Sequence, residues 1–263
     1  MRKIAIINQK GGTAKTTTAV NLAAALAHHD RKVLLIDMDP QGNLATWFDV
    51  VPRKSLYHVL IDETTTPQEC IVPVRERIDL LPSTKTAAQA ELILTGLPGR
   101  ERVLSRKLAH LPNYDFVLLD CPPSLNLLNQ NAIVYATEAF IPVSMDYLAL
   151  VGVKQILENL KMVREILEHP IEVSLVIPTF YDGRNRKSRE VLEKLELHFN
   201  GKVTEPIRAN VRLAEAASHH KTIFEYDPSS YGARDYMRLA ERVLSDPLST
   251  NGYTSCEAQV IHP

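Results

Sequence analysis

Five short apolar runs, each followed by a turn and a helical pattern, most constrain the fold of this chain. The runs are nearly continuous in valine, isoleucine and leucine, as in strands that are covered on both faces. They are Ile4–Asn8, Val33–Asp37, Phe116–Asp120, Ala139–Ser144 and Val173–Pro178. The stretches between them carry apolar residues at three- and four-residue spacing, which is the helical period. This alternation predicts a single α/β domain with a mostly parallel central sheet and helices on both faces.

Two regions depart from this rhythm. Residues 45–110 contain short helices and two weaker strand candidates, Ile71–Val74 and Ile78–Leu81, which we expect at an edge of the sheet. Residues 245–263 lack periodicity and are rich in turn-forming residues. We therefore expect the folded domain to span residues 1–244, with a flexible C-terminal tail after it.

Charge and composition exclude several classes of protein. The 30 Lys and Arg residues nearly balance the 31 Asp and Glu residues, giving a net charge of −1, so a nucleic-acid surface would have to be a local patch. The 3 cysteines are too few for a disulfide framework or a cysteine-built metal site. The chain has neither an apolar run of about 18 residues nor a signal peptide, which predicts a cytoplasmic protein without membrane contact.

The segment NQKGGTAKTTT (residues 8–18) follows the first predicted strand and opens the first predicted helix. In that position, backbone N–H groups and the positive end of the helix dipole form an anion site. Gly11 and Gly12 allow the close backbone approach that a phosphate requires. The Lys15 ammonium can reach the β- and γ-phosphates, and the Thr16 hydroxyl can ligate Mg²⁺. The segment predicts a P-loop NTPase-type domain.

The usual pattern GxxxxGK[ST] is not satisfied, because Gln9 and Ala14 stand where it has glycines. The sequence instead matches KGGxxK[ST], with a second lysine, Lys10, ahead of the glycines.

Two further predicted strands end in carboxylates. Asp37 and Asp39 close the second run, and Asp120 closes the third after four apolar residues, in the Walker B arrangement. The carboxyl edge of a parallel sheet is where such side chains converge on a ligand. These positions therefore predict Mg²⁺ and water binding beside the phosphate loop.

The segments KGGTAKTTT, DMDPQGN and LLDCPPS, in this order and spacing, resemble the deviant Walker A ATPases of the ParA/MinD superfamily. Later segments, IPVSMDYLALVGVKQIL, NVRLAEAASHHK and YDPSSYGARDYMRLAERVL, resemble the ParA/Soj partition branch. The resemblance covers about residues 1–244, which would form the ATPase domain. Because no helix-turn-helix segment precedes the first strand, the chain is similar to the short form of that family.

The resemblance implies that ATP drives formation of a dimer, and that ATP is hydrolysed slowly with Mg²⁺ as cofactor. Lys15 would bind the β- and γ-phosphates, and Thr17 would meet the α-phosphate. Lys10 would be the signature lysine, which reaches the nucleotide of the partner subunit and stabilises charge in the transition state. Asp39 would orient the attacking water.

Further ligand positions follow from the same resemblance. Mg²⁺ would be served by Thr16, Asp37 and Asp120. Backbone amides would come from Gly11, Gly12, Thr13 and Ala14. The adenine would sit between two later segments, with Thr179, Asp182, Ile207 and Asn210 as the residues that bind it. Ala14 departs from the family's usual glycine, and a positive φ there would cost about 1 kcal/mol, with an effect on turnover of unknown sign.

Basic residues concentrate in the C-terminal half. Residues 181–189 carry four cations against one carboxylate, and Arg234, Arg238 and Arg242 recur every four residues on the last predicted helix. Such a ridge is compatible with a solvated helix face. The resemblance favours binding of nonspecific double-stranded DNA by the ATP-bound dimer. The candidate DNA-binding residues are Arg189, Arg208, Arg212 and Arg238.

The function that this reading predicts is an ATPase switch associated with the nucleoid, positioning DNA or another large cargo with a ParB-like partner protein. A membrane-bound switch similar to MinD is one alternative, but it would need a basic amphipathic helix at the C-terminus. An electron-transfer ATPase similar to the nitrogenase iron protein would need two cluster cysteines per subunit. A regulatory protein without turnover stays open because of Ala14.

Overall fold

The computed structural model describes residues 1–111, 113–124, 126–146 and 148–246. Within them, seven strands form one sheet in the order β3-β4-β2-β5-β1-β6-β7. Their bounds are β1 Arg2–Ile6, β2 Val33–Asp37, β3 Val72–Arg75, β4 Ile78–Leu81, β5 Phe116–Asp120, β6 Glu138–Ser144 and β7 Glu172–Thr179. All neighbouring strands are parallel except β3 and β4, which are antiparallel. The predicted α/β fold with a mostly parallel sheet is confirmed.

Helices cover both faces of the sheet. They are α1 Lys15–His28, α2 Asn43–Trp47, α3 Leu56–Ile61, α4 Pro67–Cys70, α5 Ala87–Thr95, α6 Val103–Lys107, α7 Leu127–Tyr135, α8 Leu148–Leu167, α9 Arg186–Phe199, α10 Val211–Ser218, α11 Ile223–Tyr226 and α12 Tyr231–Ser245. A short 3-10 helix spans Arg100–Arg102. Helices α3 to α9 pack on one face, and α1, α2 and α10 to α12 pack on the other. Within the described part of the chain, no helix is both long enough and apolar enough to cross a membrane.

The two-sided burial explains the continuous apolar runs. In β1, Ala5 belongs to the core under α3 to α9, whereas Ile4 and Ile6 belong to the core under α1 and α12. Because successive side chains of a strand point to opposite faces, both faces need apolar residues when both are covered. The free energy of burial thus favours apolar side chains on both faces of the central strands.

The strand predictions hold with small shifts. The first run was predicted as Ile4–Asn8, whereas β1 is Arg2–Ile6; the Asn8 side chain donates to the Pro142 carbonyl of β6 and accepts from the Lys10 amide in the turn that follows. The two weaker candidates are β3 and β4 and lie at the sheet edge, as expected. Helix α12 runs to Ser245, one residue beyond the predicted boundary. Of the predicted tail, residues 245–263, those from 247 onward lie outside the described residues.

The carboxyl ends of the central strands meet at one edge. In the strand register, Asp120 at the end of β5 lies opposite Asp37 of β2 on one side and Ile6 of β1 on the other. The loops that leave β1, β2 and β5 therefore share one crevice, which is where open parallel sheets bind ligands.

Candidate nucleotide-binding site

The loop between β1 and α1 has the geometry of an anion cradle. Gly12 and Ala14 both adopt left-handed backbone conformations, with φ of +70° and +66°. Alternation of this kind turns successive backbone N–H groups toward one concave side. A Cβ built on Gly11 or Gly12 would meet no atom within 4 Å, so the space above the loop is open to a ligand. The loop thus fits the predicted phosphate group.

Ala14 is the residue from which α1 starts. It is the N-cap of α1, and its carbonyl accepts a hydrogen bond of 2.8 Å from the Thr18 amide. The sequence left open whether Ala14, in place of the family's usual glycine, has a positive φ. It does, with a φ of +66°. An L-residue with a Cβ in this conformation costs about 1 kcal/mol relative to glycine.

Lys15 lies under the loop rather than in solvent. Its side chain is buried, and its ammonium Nζ donates to the Lys10 carbonyl at 3.1 Å. Burial lowers the pKa of Lys15, while the nearby carboxylate of Asp120 opposes that shift. Within the described part of the chain, this buried cation has one carbonyl acceptor, so it would gain strongly from a phosphate oxygen.

Thr16 and Asp120 form the candidate Mg²⁺ site. The Thr16 hydroxyl donates to Oδ2 of Asp120 at 2.7 Å, and Asp120 is 2% exposed. Oδ1 of the same carboxylate is buried and has no hydrogen-bond partner among the described residues. Burial raises the pKa of Asp120 to about 7, against the effects of Thr16 and Lys15. An oxygen left unsatisfied beside a hydroxyl suits Mg²⁺, which prefers oxygen ligands and would restore the charged carboxylate.

Asp37 supports the neighbouring loop. It is fully buried, and its two oxygens accept hydrogen bonds of 3.0 Å from the backbone amides of Asp39 and Leu44. Burial and the proximity of Asp120 raise the pKa of Asp37 well above its usual range. These contacts fix the turn that carries Asp39. The predicted contribution of Asp37 to Mg²⁺ binding stays a prediction.

Asp39 is half-buried at the rim of the crevice. Its Oδ1 accepts from the Gln41 amide at 2.9 Å, and its carbonyl accepts from the Gly42 amide at 3.0 Å. Gly42 has a φ of +68°, and a Cβ there would lie 2.9 Å from the Ser83 carbonyl oxygen. Glycine is therefore required to turn the chain at this point, and the turn holds Asp39 beside the phosphate loop.

Lys10 is held within its own chain. Its ammonium Nζ lies 2.5 Å from Oδ2 of Asp146, which also accepts from the Ser144 hydroxyl at 2.7 Å. The Lys10 amide donates to Oδ1 of Asn8 at 2.9 Å, and Asn8 donates to the Pro142 carbonyl at 2.7 Å. Sequence analysis missed Asp146, although a carboxylate directly after β6 follows the same strand-end rule that singled out Asp120.

The two segments predicted to hold the adenine run side by side. The Tyr181 amide donates to the Ile207 carbonyl at 3.1 Å, and the Thr179 hydroxyl reaches the Thr13 carbonyl of the phosphate loop at 3.2 Å. Asn210 instead caps α10 by accepting from the Arg212 amide. Of the four predicted residues, Ile207 takes part in the contact between the two segments, and Thr179 contacts the phosphate loop.

Asp182 and Phe180 need separate mention. Asp182 accepts two hydrogen bonds from the guanidinium of Arg184, at 3.0 and 2.9 Å, so its side chain is engaged locally. Phe180 has a φ of +56° and is half-exposed, which is unusual for a bulky residue. Nothing in the sequence signalled this strained conformation.

Most of the candidate DNA-binding arginines are paired with carboxylates. Arg208 binds Asp235 at 2.5 Å, and the Asp235 carboxylate is buried. The other pairs are Arg212 with Glu215 at 2.8 Å, Arg212 with Asp227 at 3.5 Å, and Arg238 with Glu205 at 2.9 Å. Arg189 donates to the Gly183 carbonyl and forms no ion pair among the described residues.

A second exposed arginine also lacks a carboxylate partner in the described part of the chain. Arg234 donates to the Ser229 carbonyl at 2.9 Å, and its guanidinium carbon lies 4.9 Å from the centre of the Tyr231 ring. Arg208 stacks on the same ring at 4.1 Å. Tyr231 thus holds two guanidinium groups at the start of α12 by cation–π contact.

The parallel sheet, the glycine-containing loop at the start of α1 and the Thr16–Asp120 pair define a P-loop nucleotide-binding protein of the α/β class. A family model described as an AAA domain matches residues 1–173. The chain is 43% identical over 246 residues to the chromosome-partitioning ATPase Soj of Thermus thermophilus, covering 93% of this chain and 96% of that protein. It is 40% identical over 248 residues to the sporulation initiation inhibitor protein Soj of Bacillus subtilis, covering 92% and 98%. The chain belongs to the Soj/ParA family of the ParA/MinD superfamily.

A solved structure agrees with this assignment. The cobyrinic acid a,c-diamide synthase of Mycobacterium smegmatis, with a bound ATP analogue and magnesium, superposes with a TM-score of 0.80 at 34% identity. The match covers 93% of this chain and 94% of that one.

Proposed function

We propose that this protein is an ATP-driven dimerising switch that positions DNA or another large cellular cargo. Its activity is slow hydrolysis of ATP to ADP and phosphate. The observation that carries the proposal is the placement of Lys10, a second lysine beside the phosphate loop. Its partly exposed ammonium forms an ion pair with Asp146, and it can leave that pair to bind a phosphate. The name of the Thermus thermophilus relative, a chromosome-partitioning ATPase, supports the positioning role.

ATP binds at the phosphate loop in this proposal. The amides of Gly11 to Ala14 and the ammonium of Lys15 bind the β- and γ-phosphates, and Thr17 meets the α-phosphate. Mg²⁺, held by Thr16 and the free oxygen of Asp120, neutralises phosphate charge when bound. The ATP analogue and magnesium in the solved relative support this assignment.

Hydrolysis uses two side chains at the rim of the crevice. Asp39 orients the attacking water, and Lys10 of a second copy stabilises the charge that develops on the transferring phosphoryl group. Both roles need side chains that are free to face the nucleotide. Asp39 is half-buried and Lys10 is partly exposed, so neither side chain is sealed off from the crevice, although Lys10 must first leave Asp146.

The Lys10–Asp146 contact supports a nucleotide-dependent switch. Within one copy, the ion pair holds Lys10 over its own loop. In the ATP-bound dimer, Lys10 would exchange Asp146 for the phosphates of the partner subunit. A phosphate carries more negative charge than one carboxylate, so ATP favours the exchange.

DNA binding is proposed for the surface around the start of α10 and α12. The candidates Arg189, Arg208, Arg212 and Arg238 stay in this proposal, with different expected weights. Arg208 is committed to the buried Asp235, whereas Arg189 and Arg234 have no carboxylate to displace among the residues that the structure describes. Dimerisation doubles the number of cations on one surface, which strengthens a salt-sensitive contact with the DNA backbone.

A ParB-like partner protein and association with the nucleoid complete the proposal. Both are supported by the name of the Thermus thermophilus relative, a chromosome-partitioning ATPase. The runner-up is a switch of the same family that acts without DNA, at a membrane or as a regulator.

A DNA-binding experiment separates these two functions. Mobility-shift measurements on unrelated duplexes, with ATP and with ADP at several salt concentrations, should show binding in ATP only. Arg212→Glu should weaken that binding about tenfold and give a shallower salt dependence. Lys161→Glu, on the exposed surface of α8, is the matched control and should bind as the wild type does. Absence of DNA binding in ATP at low salt would favour the runner-up.

A further inference from the structure

A small cavity lies beneath the phosphate loop, where the segment after β1 meets α7 and α8. Its volume is ≈ 10 Å³, about the space that the centre of one water molecule needs. The polar residues that line it are Asn8, Gln9, Asn129 and Asn159. Apolar side chains, among them Ile133, close the remaining walls. Among the described residues, no carboxylate or cation lines the cavity, so its chemistry suits a neutral polar ligand.

Two buried polar atoms beside this cavity lack hydrogen-bond partners among the described residues. They are Nε2 of Gln9 and Oδ1 of Asn129. The orientation of Asn129 is fixed, because its Nδ2 donates to the carbonyls of Pro122 and Ser124, at 3.2 and 2.8 Å. Asn129 is 4% exposed, so bulk solvent does not reach its remaining oxygen. Gln9 carries an unsatisfied donor and Asn129 an unsatisfied acceptor, among the described residues, and both residues line the same small space.

We propose that this cavity is a binding site for a single ordered water molecule, which accepts from Nε2 of Gln9 and donates to Oδ1 of Asn129. Water can accept and donate at once, which satisfies both atoms, and the volume admits one molecule. Asn159 supplies a third polar neighbour, within the two to four partners that buried waters usually have.

The position of this water gives it a role in nucleotide binding. Asn129 holds the loop that follows Asp120 by two carbonyls, and Gln9 directly precedes Lys10. The water thus ties the loop that follows Asp120 to the phosphate loop. Gln9 and Asn129 are positioning residues, which set the separation between the phosphate loop and the loop that leads away from the candidate Mg²⁺ ligand Asp120. This step rests on nucleotide binding at the phosphate loop and is independent of DNA binding.

A high-resolution crystal structure of the wild-type protein tests the site itself. We expect an ordered water within hydrogen-bond distance of both Gln9 and Asn129. A direct hydrogen bond between the two side chains, or a cavity without density, would overturn the proposal.

A double-mutant cycle tests the positioning role. Gln9→Met and Asn129→Leu remove the two hydrogen-bonding groups at similar volume, and calorimetry gives the MgATP affinity of each variant and of the double variant. We expect the loss of MgATP affinity in the double variant to be about fivefold smaller than the product of the two single losses. The reason is that either change alone already removes the water bridge. Asn129→Ala replaces the leucine variant if that does not fold.

Ile133→Val supplies the control, since it lines the same cavity without a polar atom. The loss of MgATP affinity in the double variant of Ile133→Val and Gln9→Met should equal the product of the two single losses. Independent effects of Gln9→Met and Asn129→Leu would reject the positioning role even if the water is seen. If the wild-type protein did not bind MgATP, the nucleotide site itself would be contradicted. Failure of the proposed function is thus distinct from failure of the positioning role.

Discussion

Two residues of the phosphate loop have left-handed backbone, and only one of them is a glycine. Gly12 adopts its φ of +70° without steric cost, whereas Ala14 at +66° does not. The conformation of Ala14 persists because the first hydrogen bond of α1 closes on its carbonyl. The strain is therefore stored at the point where the loop amides face the ligand site.

Replacing Ala14 by glycine should relieve that strain. We expect Ala14→Gly to raise the free energy of unfolding by about 0.5 kcal/mol, the relief of the left-handed alanine less the added entropy of the unfolded glycine. Denaturant unfolding measures it. The matched control is Ala214→Gly, at an exposed helical position in α10, which should lose about 1 kcal/mol. Equal destabilisation by both changes would show that Ala14 is not strained.

Lys15 is the residue on which we expect nucleotide affinity to depend most. Lys15→Ala keeps the loop amides but removes the positive charge that would bind the phosphates. We expect MgATP affinity to fall by about 3 kcal/mol, or ~100-fold, measured by calorimetry. Lys187→Ala, an exposed cation on α9, serves as the control and should bind normally. Unchanged affinity in the Lys15 variant would refute the phosphate-loop assignment.

At the scale of elements, apolar periodicity predicted the strands, and the strand-end carboxylates predicted one edge of the site. These signals are local, so the sequence carries them directly. Asp146 was missed because its contact with Lys10 joins positions 136 residues apart. Phe180 was missed because a positive φ at a bulky residue follows from tertiary packing and leaves no compositional signal.

The loop that precedes α10 is attached to α12 by one buried carboxylate. Asp235 accepts from the Arg208 amide at 3.0 Å as well as from its guanidinium. Asp235→Ala should therefore cost about 2 kcal/mol of unfolding free energy, reduced from the value for a fully buried pair because Arg208 is partly exposed. Chemical denaturation of Glu205→Ala gives the comparison, since its pair with Arg238 is exposed and should contribute less than about 0.5 kcal/mol. Similar losses in the two variants would contradict this description.

At the scale of the whole molecule, the proposed switch depends on a second copy of the chain. In that proposal, the crevice at the sheet edge would supply Lys15, Thr16, Asp39 and Asp120 to one nucleotide, and the ion pair with Asp146 holds Lys10 within its own chain. A lysine that served the partner subunit would make hydrolysis conditional on dimerisation, and slow hydrolysis would limit the lifetime of the dimer. DNA binding by a surface that dimerisation doubles would then follow the state of the nucleotide.

The mass of the protein in solution, measured by light scattering with MgATP, with MgADP and without nucleotide, tests this central claim most directly. Asp39→Ala and Lys10→Ala are measured beside the wild type. We expect the mass of the wild type to double with MgATP and not with MgADP. Asp39→Ala should stay dimeric, because its attacking water is not oriented, and Lys10→Ala should not dimerise. A mass that is the same in ATP, in ADP and without nucleotide would contradict it.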